Sequence, residues 1–387
     1  MGNCITLSEA VAPQAHKAEI EGIIEANAEI IRKGRTRKIE FPQIRNLFNA
    51  ELICTFSHLT PNLPFDEIYS NFVLLRIIER AGLRRESVLN LAYDNYIPEN
   101  DTPKAYTIQY GIVSPKIMKP DVIPSLQGRL FYERDALFKD GQNRVKSAPE
   151  QNIEAFRKRF DQLDEIYQKY AGEGHVIERL LAIRRDFFKL TGLDVIPEQS
   201  CSQYLRTLSA DVLEILYQEG FAFWEMPVPE DKYTKQTFLV EGIDAHKKRR
   251  PVHFEDEAFV FDYDTAKEKR IPKEKIFEAI RTMEVIPTMP LVILTLVTAP
   301  QIPHLGGGVW KKYAPRHVDA QAEWLGIKER SDTLILGTGG KILLKAYRHN
   351  EEFIGFPVIY MTYGKEIIKK ALEEGLQLRV EFKRVVY

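Results

Sequence analysis

One stretch constrains the fold of this chain more than any other, the apolar run Leu291-Val292-Ile293-Leu294-Thr295-Leu296-Val297. It carries no charge and offers no polar face, so it belongs in an interior with packed elements on both sides. Its shortness and β-branched content predict a strand buried on both faces, as found inside parallel or mixed sheets. Behind it come Pro300, Pro303, His304, Gly306-Gly307-Gly308, Trp310, Lys311-Lys312, Arg316, His317 and Asp319. Adjacent glycines beyond a buried strand let backbone amides approach a ligand closely. Open α/β sheets bind ligands at the carboxyl ends of their strands.

A chain of 387 residues can bury substantial cores, enough for roughly two or three folding units. With 44% hydrophobic and 28% charged residues it has the make-up of an ordinary globular protein and excludes collagen-like or low-complexity character. The 54 basic and 55 acidic residues leave a formal charge of -1, so no global field recruits nucleic acid or an anionic membrane. Three widely spaced cysteines, Cys4, Cys54 and Cys201, fit neither a disulfide framework nor a cysteine zinc cage. Together with the lack of a transmembrane-length apolar run, they suggest a soluble protein of a reducing cytoplasm. Met1-Gly2-Asn3-Cys4-Ile5-Thr6 matches the N-myristoylation pattern, with Cys4 placed for a second acyl chain, a reading that applies only in a eukaryotic cell.

Periodicity divides the chain into four parts and predicts an α+β (mixed α/β) protein with a helical N-terminal half and a C-terminal mixed-sheet domain. Residues 1–100 read as a small helical domain, from the stripes Ile20, Ile24, Ala28, Ile31, then Ile44, Leu47, Phe48, Leu52, then Ile68, Phe72, Val73, Leu75, Ile78. Residues 101–146 read as a β-rich connecting segment with strand-like pieces at 106–113 and 130–132. Residues 147–225 read as a helical bundle, opened by the cap Ser147, Pro149, Glu150 and interrupted by Gly172 and Gly174. Residues 226–387 read as an α+β domain with the candidate site. Its expected elements are strands at 237–240, 258–263 and 356–363, helices at 273–283 and 365–374, and a closing strand at 376–386. A hairpin is expected to join 334–336 to 342–346 through Gly337-Thr338-Gly339-Gly340.

In the candidate site the amides of Gly306, Gly307 and Gly308 would bind an anionic group, and Lys311, Lys312 and Arg316 would neutralise its charge. His304 or His317 would move a proton, with Asp319 orienting His317 or accepting the proton itself. That pattern points to an enzyme, a transferase or hydrolase, working on an anionic small molecule by acid-base chemistry. No motif names a cofactor or a metal.

Other motifs are incomplete. His304-Leu305-Gly306-Gly307-Gly308 resembles the oxyanion loop of lipases and esterases, yet the chain contains no Gly-x-Ser-x-Gly elbow, which disfavours a serine hydrolase. Gly337-Thr338-Gly339-Gly340-Lys341 resembles a phosphate loop without its full spacing or the following Ser or Thr, and is read as the hairpin turn. His317, Asp319 and His349 have the ligand types of an iron site, at a spacing that chance also produces. The basic run at 246–250 is followed at once by Glu255, Asp256 and Glu257, so it reads as an exposed, charge-balanced loop, and nucleic-acid processing is the less favoured alternative. The same holds for Arg32, Lys33, Arg35, Arg37 and Lys38, read as a helix end and linker. The remaining alternative is a non-enzymatic assembly protein, docking a protein partner through its helical half and through exposed Trp310 and Tyr313.

Overall fold

The run that reads as a strand is a helix. Met289–Ile293 form an α-helix that continues as a π-helical turn over Leu294–Thr298, and every residue from 289 to 298 is buried. Periodicity does not separate a fully buried strand from a fully buried helix. Here local chemistry selects the helix. Thr288 enters in extended conformation and Pro290 occupies the first turn, where its missing N–H costs no hydrogen bond. Thr295 Oγ1 donates back to the Leu291 carbonyl at 2.8 Å and Thr298 Oγ1 to Gln321 Oε1 at 2.7 Å, so both hydroxyls are satisfied without water.

In the computed structural model, the residues described are 2–7, 13–58, 65–93, 107–109, 112–114, 127–130, 153–170, 172–230, 238–246, 249–307, 310–339, 344–347, 356–376 and 378–385. Their fold is mixed α and β. At its centre lies a sheet of five strands, β1 (Leu52–His58), β2 (Val88–Tyr93), β3 (Glu198–Ser200), β4 (His304–Gly306) and β5 (Ile335–Gly337). All neighbours are parallel and the spatial order is β5-β4-β1-β2-β3. The chain thus steps outward from β1 to β3, then returns to the other side of β1 for β4 and β5. This is a doubly wound sheet, and its order reverses between β1 and β4.

Alternating side chains send the two faces of the sheet into two cores. Leu52, Cys54, Leu305 and Leu336 join one core with α1 (Pro13–Gly34), α2 (Phe65–Ala81), α3 (Ile153–Tyr170) and α4 (Val176–Thr191). Ile53, Leu89, Leu91 and Ile335 join the other with α5 (Cys201–Gln218), α6 (Met289–Ile293) and α7 (Trp310–Trp324). A final helical segment, α8 (Phe356–Glu374), broken at Gly364 with φ of 71°, packs in the first core through Ile359, Tyr360 and Tyr363. Residues 356–363 are therefore helical rather than a strand. Their buried positions fall three and four apart, a spacing that their aromatic, β-branched composition obscures.

Strands of the central sheet come from residues 52 to 337, so the sheet runs across the boundaries at 100, 146 and 225 suggested by periodicity. Leu52 opens β1 instead of closing a helical stripe. The expected hairpin at 334–346 is absent. Ile335–Gly337 is an edge strand of the parallel sheet, whereas Leu344–Tyr347 pairs in parallel with Leu378–Val385, itself antiparallel to Gly2–Leu7. Between α5 and α6, two small antiparallel sheets contain Val240–Ile243, Arg249–Pro251 and Val285–Pro287, and His253–Glu255, Ala258–Asp264 and Lys267–Pro272. In the 101–146 segment, Thr107–Gln109 pairs with Ile112–Ser114, and Gln127–Leu130 pairs with Gly172–His175. The cap at 147–150 lies outside the described residues.

Candidate functional site

The glycine turn does follow a strand of a parallel sheet, but that strand is β4. Gly306 ends β4 and Gly307 leads towards α7, with Gly308 outside the described residues. β4 lies beside β1, so the turn sits at the carboxyl edge where the strand order reverses. A Cβ added at Gly307 would lie 3.7 Å from the Phe56 carbonyl oxygen of β1, which places Gly307 beside that strand. A Cβ at Gly306 would fall inside the Trp310 indole, so only glycine lets the first residue of α7 fold back onto β4.

His304 opens β4 on the α7 side of the sheet. Its ring is fully buried, stacks on Trp310 at 4.6 Å between centroids and hydrogen-bonds Thr55 Oγ1 through Nε2 at 2.6 Å. Burial pushes its pKa down to about 3, which keeps the ring neutral. A near-neutral acid-base role for His304 therefore finds no support. Trp310, expected on the surface, is 5% exposed, and Tyr313 is half-buried. Among the described residues, Trp310 Nε1 and His304 Nδ1 are buried without a hydrogen-bond partner. Such groups are uncommon in folded proteins, and both lie behind the glycine turn.

The other expected residues spread along α7. His317 is fully buried inside the second core. Asp319 accepts from the Ser331 backbone N–H at 2.8 Å and the Ser331 hydroxyl at 3.0 Å, which engages both carboxylate oxygens at the start of the short helix Ser331–Leu334. Lys312 and Arg316 are exposed. Lys311 is exposed at its head, while its stem lies over Gly337 of β5. The structure thus brings Gly306, Gly307, Trp310 and Lys311 to the carboxyl edge and leaves His304, His317 and Asp319 in supporting positions.

A second polar group was not visible in the sequence. Arg184 of α4 is completely buried between Glu67 of α2, at 2.6 Å, and Glu198 of β3, at 2.8 Å. It also donates to Ser57 Oγ of β1, and Ser57 donates to Glu198 Oε1 at 2.6 Å. Burial would lower the pKa of Arg184, but the two carboxylates outweigh it and the net shift is upward. Burial raises that of Glu198, but Arg184 outweighs it and the net shift is downward. A bulge in β1 between Cys54 and Ser57 turns Ser57 to the same face as Ala92, and so towards this group. The sequence signal is faint, because Glu67, Arg184 and Glu198 are far apart and each sits in a charged neighbourhood.

The remaining charged clusters are neutralised locally. Arg249 pairs with Glu241 at 3.1 Å and Arg250 with Asp244 at 2.9 Å, while Glu255 and Asp256 face Arg270 and Glu257 faces Lys273. Lys247 and Lys248 lie outside the described residues. Arg35 donates to the Ala81 and Gly82 carbonyls and Arg37 to that of Thr333, so both serve as ties between elements. Among the described residues no group of three or more His, Cys, Asp or Glu side chains could hold a metal ion, and no helix is long and apolar enough to cross a membrane. His349 lies outside them. No protein-family model matches the chain, and no curated protein is significantly similar to it.

Proposed function

We propose that this protein binds an anionic small molecule at the carboxyl edge of the parallel sheet, between β1 and β4, as the substrate of a transferase or hydrolase. The observation that carries this reading is the reversal of strand order at β1 and β4, with the Gly306-Gly307 turn at that point. Crossovers leave a doubly wound sheet to opposite sides there, which opens a crevice that no helix fills. The turn leads into α7, whose amino-terminal end favours negative charge. Binding is the step to which this geometry speaks, and the reaction class is carried over from the sequence pattern.

The test is thermal unfolding of the full chain with nucleotides, sugar phosphates and dicarboxylates, on wild type and Gly307→Val. Valine at 307 puts a branched side chain beside β1, at the proposed crevice, while its backbone contacts stay ordinary. A ligand at a hundred times its dissociation constant stabilises by about 2.7 kcal/mol. That stabilisation is expected in wild type and lost in Gly307→Val. Absence of a shift with every anion, or an equal shift in both proteins, rejects the reading.

A further inference from the structure

We propose that the turn leaving β5, Gly337-Thr338-Gly339, is the second wall of this site, that Lys311 spans the two walls, and that the ligand carries a diphosphate. The inference rests on the reading above. β4 and β5 pair in register, Gly306 opposite Gly337, so both glycine turns leave the sheet at the same height. The Thr338 N–H points to the Gly306 carbonyl at 3.4 Å, which stitches one turn to the other.

Both strand ends are occupied on their α7 side. At Gly306 the space belongs to Trp310. At Gly337 a Cβ would meet the Lys311 stem at 2.9 to 3.1 Å. Gly339 is in the left-handed region, with φ of 83°, but Gly337 is not among the residues of positive φ, so its backbone does not demand glycine. The neighbour that a side chain at 337 would displace is the flexible Lys311 stem.

Arg35, Arg184, Arg249, Arg281 and Lys273 each hold a carboxylate. Lys311 makes no ion pair among the described residues, yet its stem is seated, so its ammonium is held at the carboxyl edge without a counter-charge. The turn behind it is braced from the opposite face of the sheet. Asn27 of α1 donates to the Gly337 carbonyl at 2.9 Å, and Ser70 of α2 donates to Thr338 Oγ1 at 3.1 Å, all with side chains at least nine-tenths buried. An ordinary surface connection does not need three buried polar side chains. A preorganised anion site does.

Two glycine-bearing strand ends carry the Lys311 ammonium between them. They belong to adjacent strands, which lie about 4.8 Å apart, a span suited to two linked phosphoryl groups. The diphosphate could be free or part of a nucleotide, and the experiment separates these.

The experiment is calorimetric titration of the full chain with pyrophosphate, ADP and orthophosphate. The proteins compared are wild type, Lys311→Met, Gly337→Ala and Gly307→Val, each checked for an unchanged circular dichroism spectrum. Methionine keeps the stem over Gly337 and removes the charge, whereas alanine at 337 pushes the stem away and keeps it. Wild type is expected to bind pyrophosphate or ADP more tightly than orthophosphate, and both variants are expected to lose at least tenfold in affinity. Lys311→Met is also expected to weaken the salt dependence. Binding of ADP without pyrophosphate, with the same loss in both variants, identifies a nucleotide. If Lys311→Met and Gly337→Ala bind like wild type while Gly307→Val does not, the second wall is wrong and the first site stands. If wild type binds none of the three, the diphosphate assignment falls, and the wider anion screen then decides whether the site does.

Discussion

At the scale of single residues, His304 shows how position reverses an expected role. By sequence it stands beside three glycines and two lysines, where a histidine near its ordinary pKa would be a natural proton carrier. In the fold it opens a central strand and burial holds its pKa at about 3 against an ordinary 6.5. The unfolded chain therefore binds a proton at His304 that the folded chain refuses between pH 6.5 and pH 3. Stability from this residue is complete above 6.5 and is lost as the pH falls through that window. His304→Gln keeps a polar partner for Thr55 and removes the titration. Urea unfolding from pH 7 to pH 4 is expected to show a smaller loss of stability in the variant than in wild type. Parallel curves for the two proteins refute the assignment of a neutral, enclosed imidazole. Asp319 tells the same story in milder form. The sequence supplied its proximity to His317 along the helix, but the carboxylate faces the following crossover and holds Ser331.

At the scale of elements, the helices that alternate apolar and polar residues at helical spacing were legible, among them α1, α3, α4 and α5. Elements without a polar face were not. The 291–297 run reads equally well as strand or helix, since burial on all sides erases periodicity, and residues 356–363 read as a strand from their aromatic and β-branched content. The strands of the central sheet are short, and β3, β4 and β5 span three residues each, too few for alternation to register. The Arg184 group belongs to this scale because it ties β1, α2, α4 and β3 at one point. Arg184→Met removes the cation from between two buried carboxylates, and breaking buried pairs of this kind costs about 3–5 kcal/mol. The expected result is a lower urea midpoint with an unchanged slope. Restoring most of the loss by adding Glu67→Gln and Glu198→Gln would identify unpaired charge as its cause, and no rescue would point to packing instead.

At the scale of the whole molecule, the two halves that composition separates are one sheet. β1, β2 and β3 come from the first 200 residues, and β4 and β5 from beyond residue 300. Without β4 and β5, β1 becomes an open edge, and the core that holds Ile53, Leu89 and Leu91 loses the part contributed by α6 and α7. A fragment of residues 1–225 is expected to lack a cooperative thermal transition and to bind a dye for exposed apolar surface, whereas the full chain melts cooperatively. A cooperatively folded fragment would refute the shared sheet. The proposed site has the same origin. The Gly306-Gly307 turn and Lys311 were visible because glycine clusters and exposed charge are local signals. The partnership of Gly306 with Gly337, some thirty residues later, and of both with Asn27 and Ser70, was not.

The sequence by itself determined the mixed α and β class and most amphipathic helices. These rest on side-chain chemistry and spacings within a few turns of the chain. Only the tertiary structure decided which short apolar segments pair as strands, which side of β1 receives β4, and which polar groups meet. Strand pairing and burial are set by competition between segments distant in the chain, and a residue's solvent, dielectric and partners exist only once that competition is resolved.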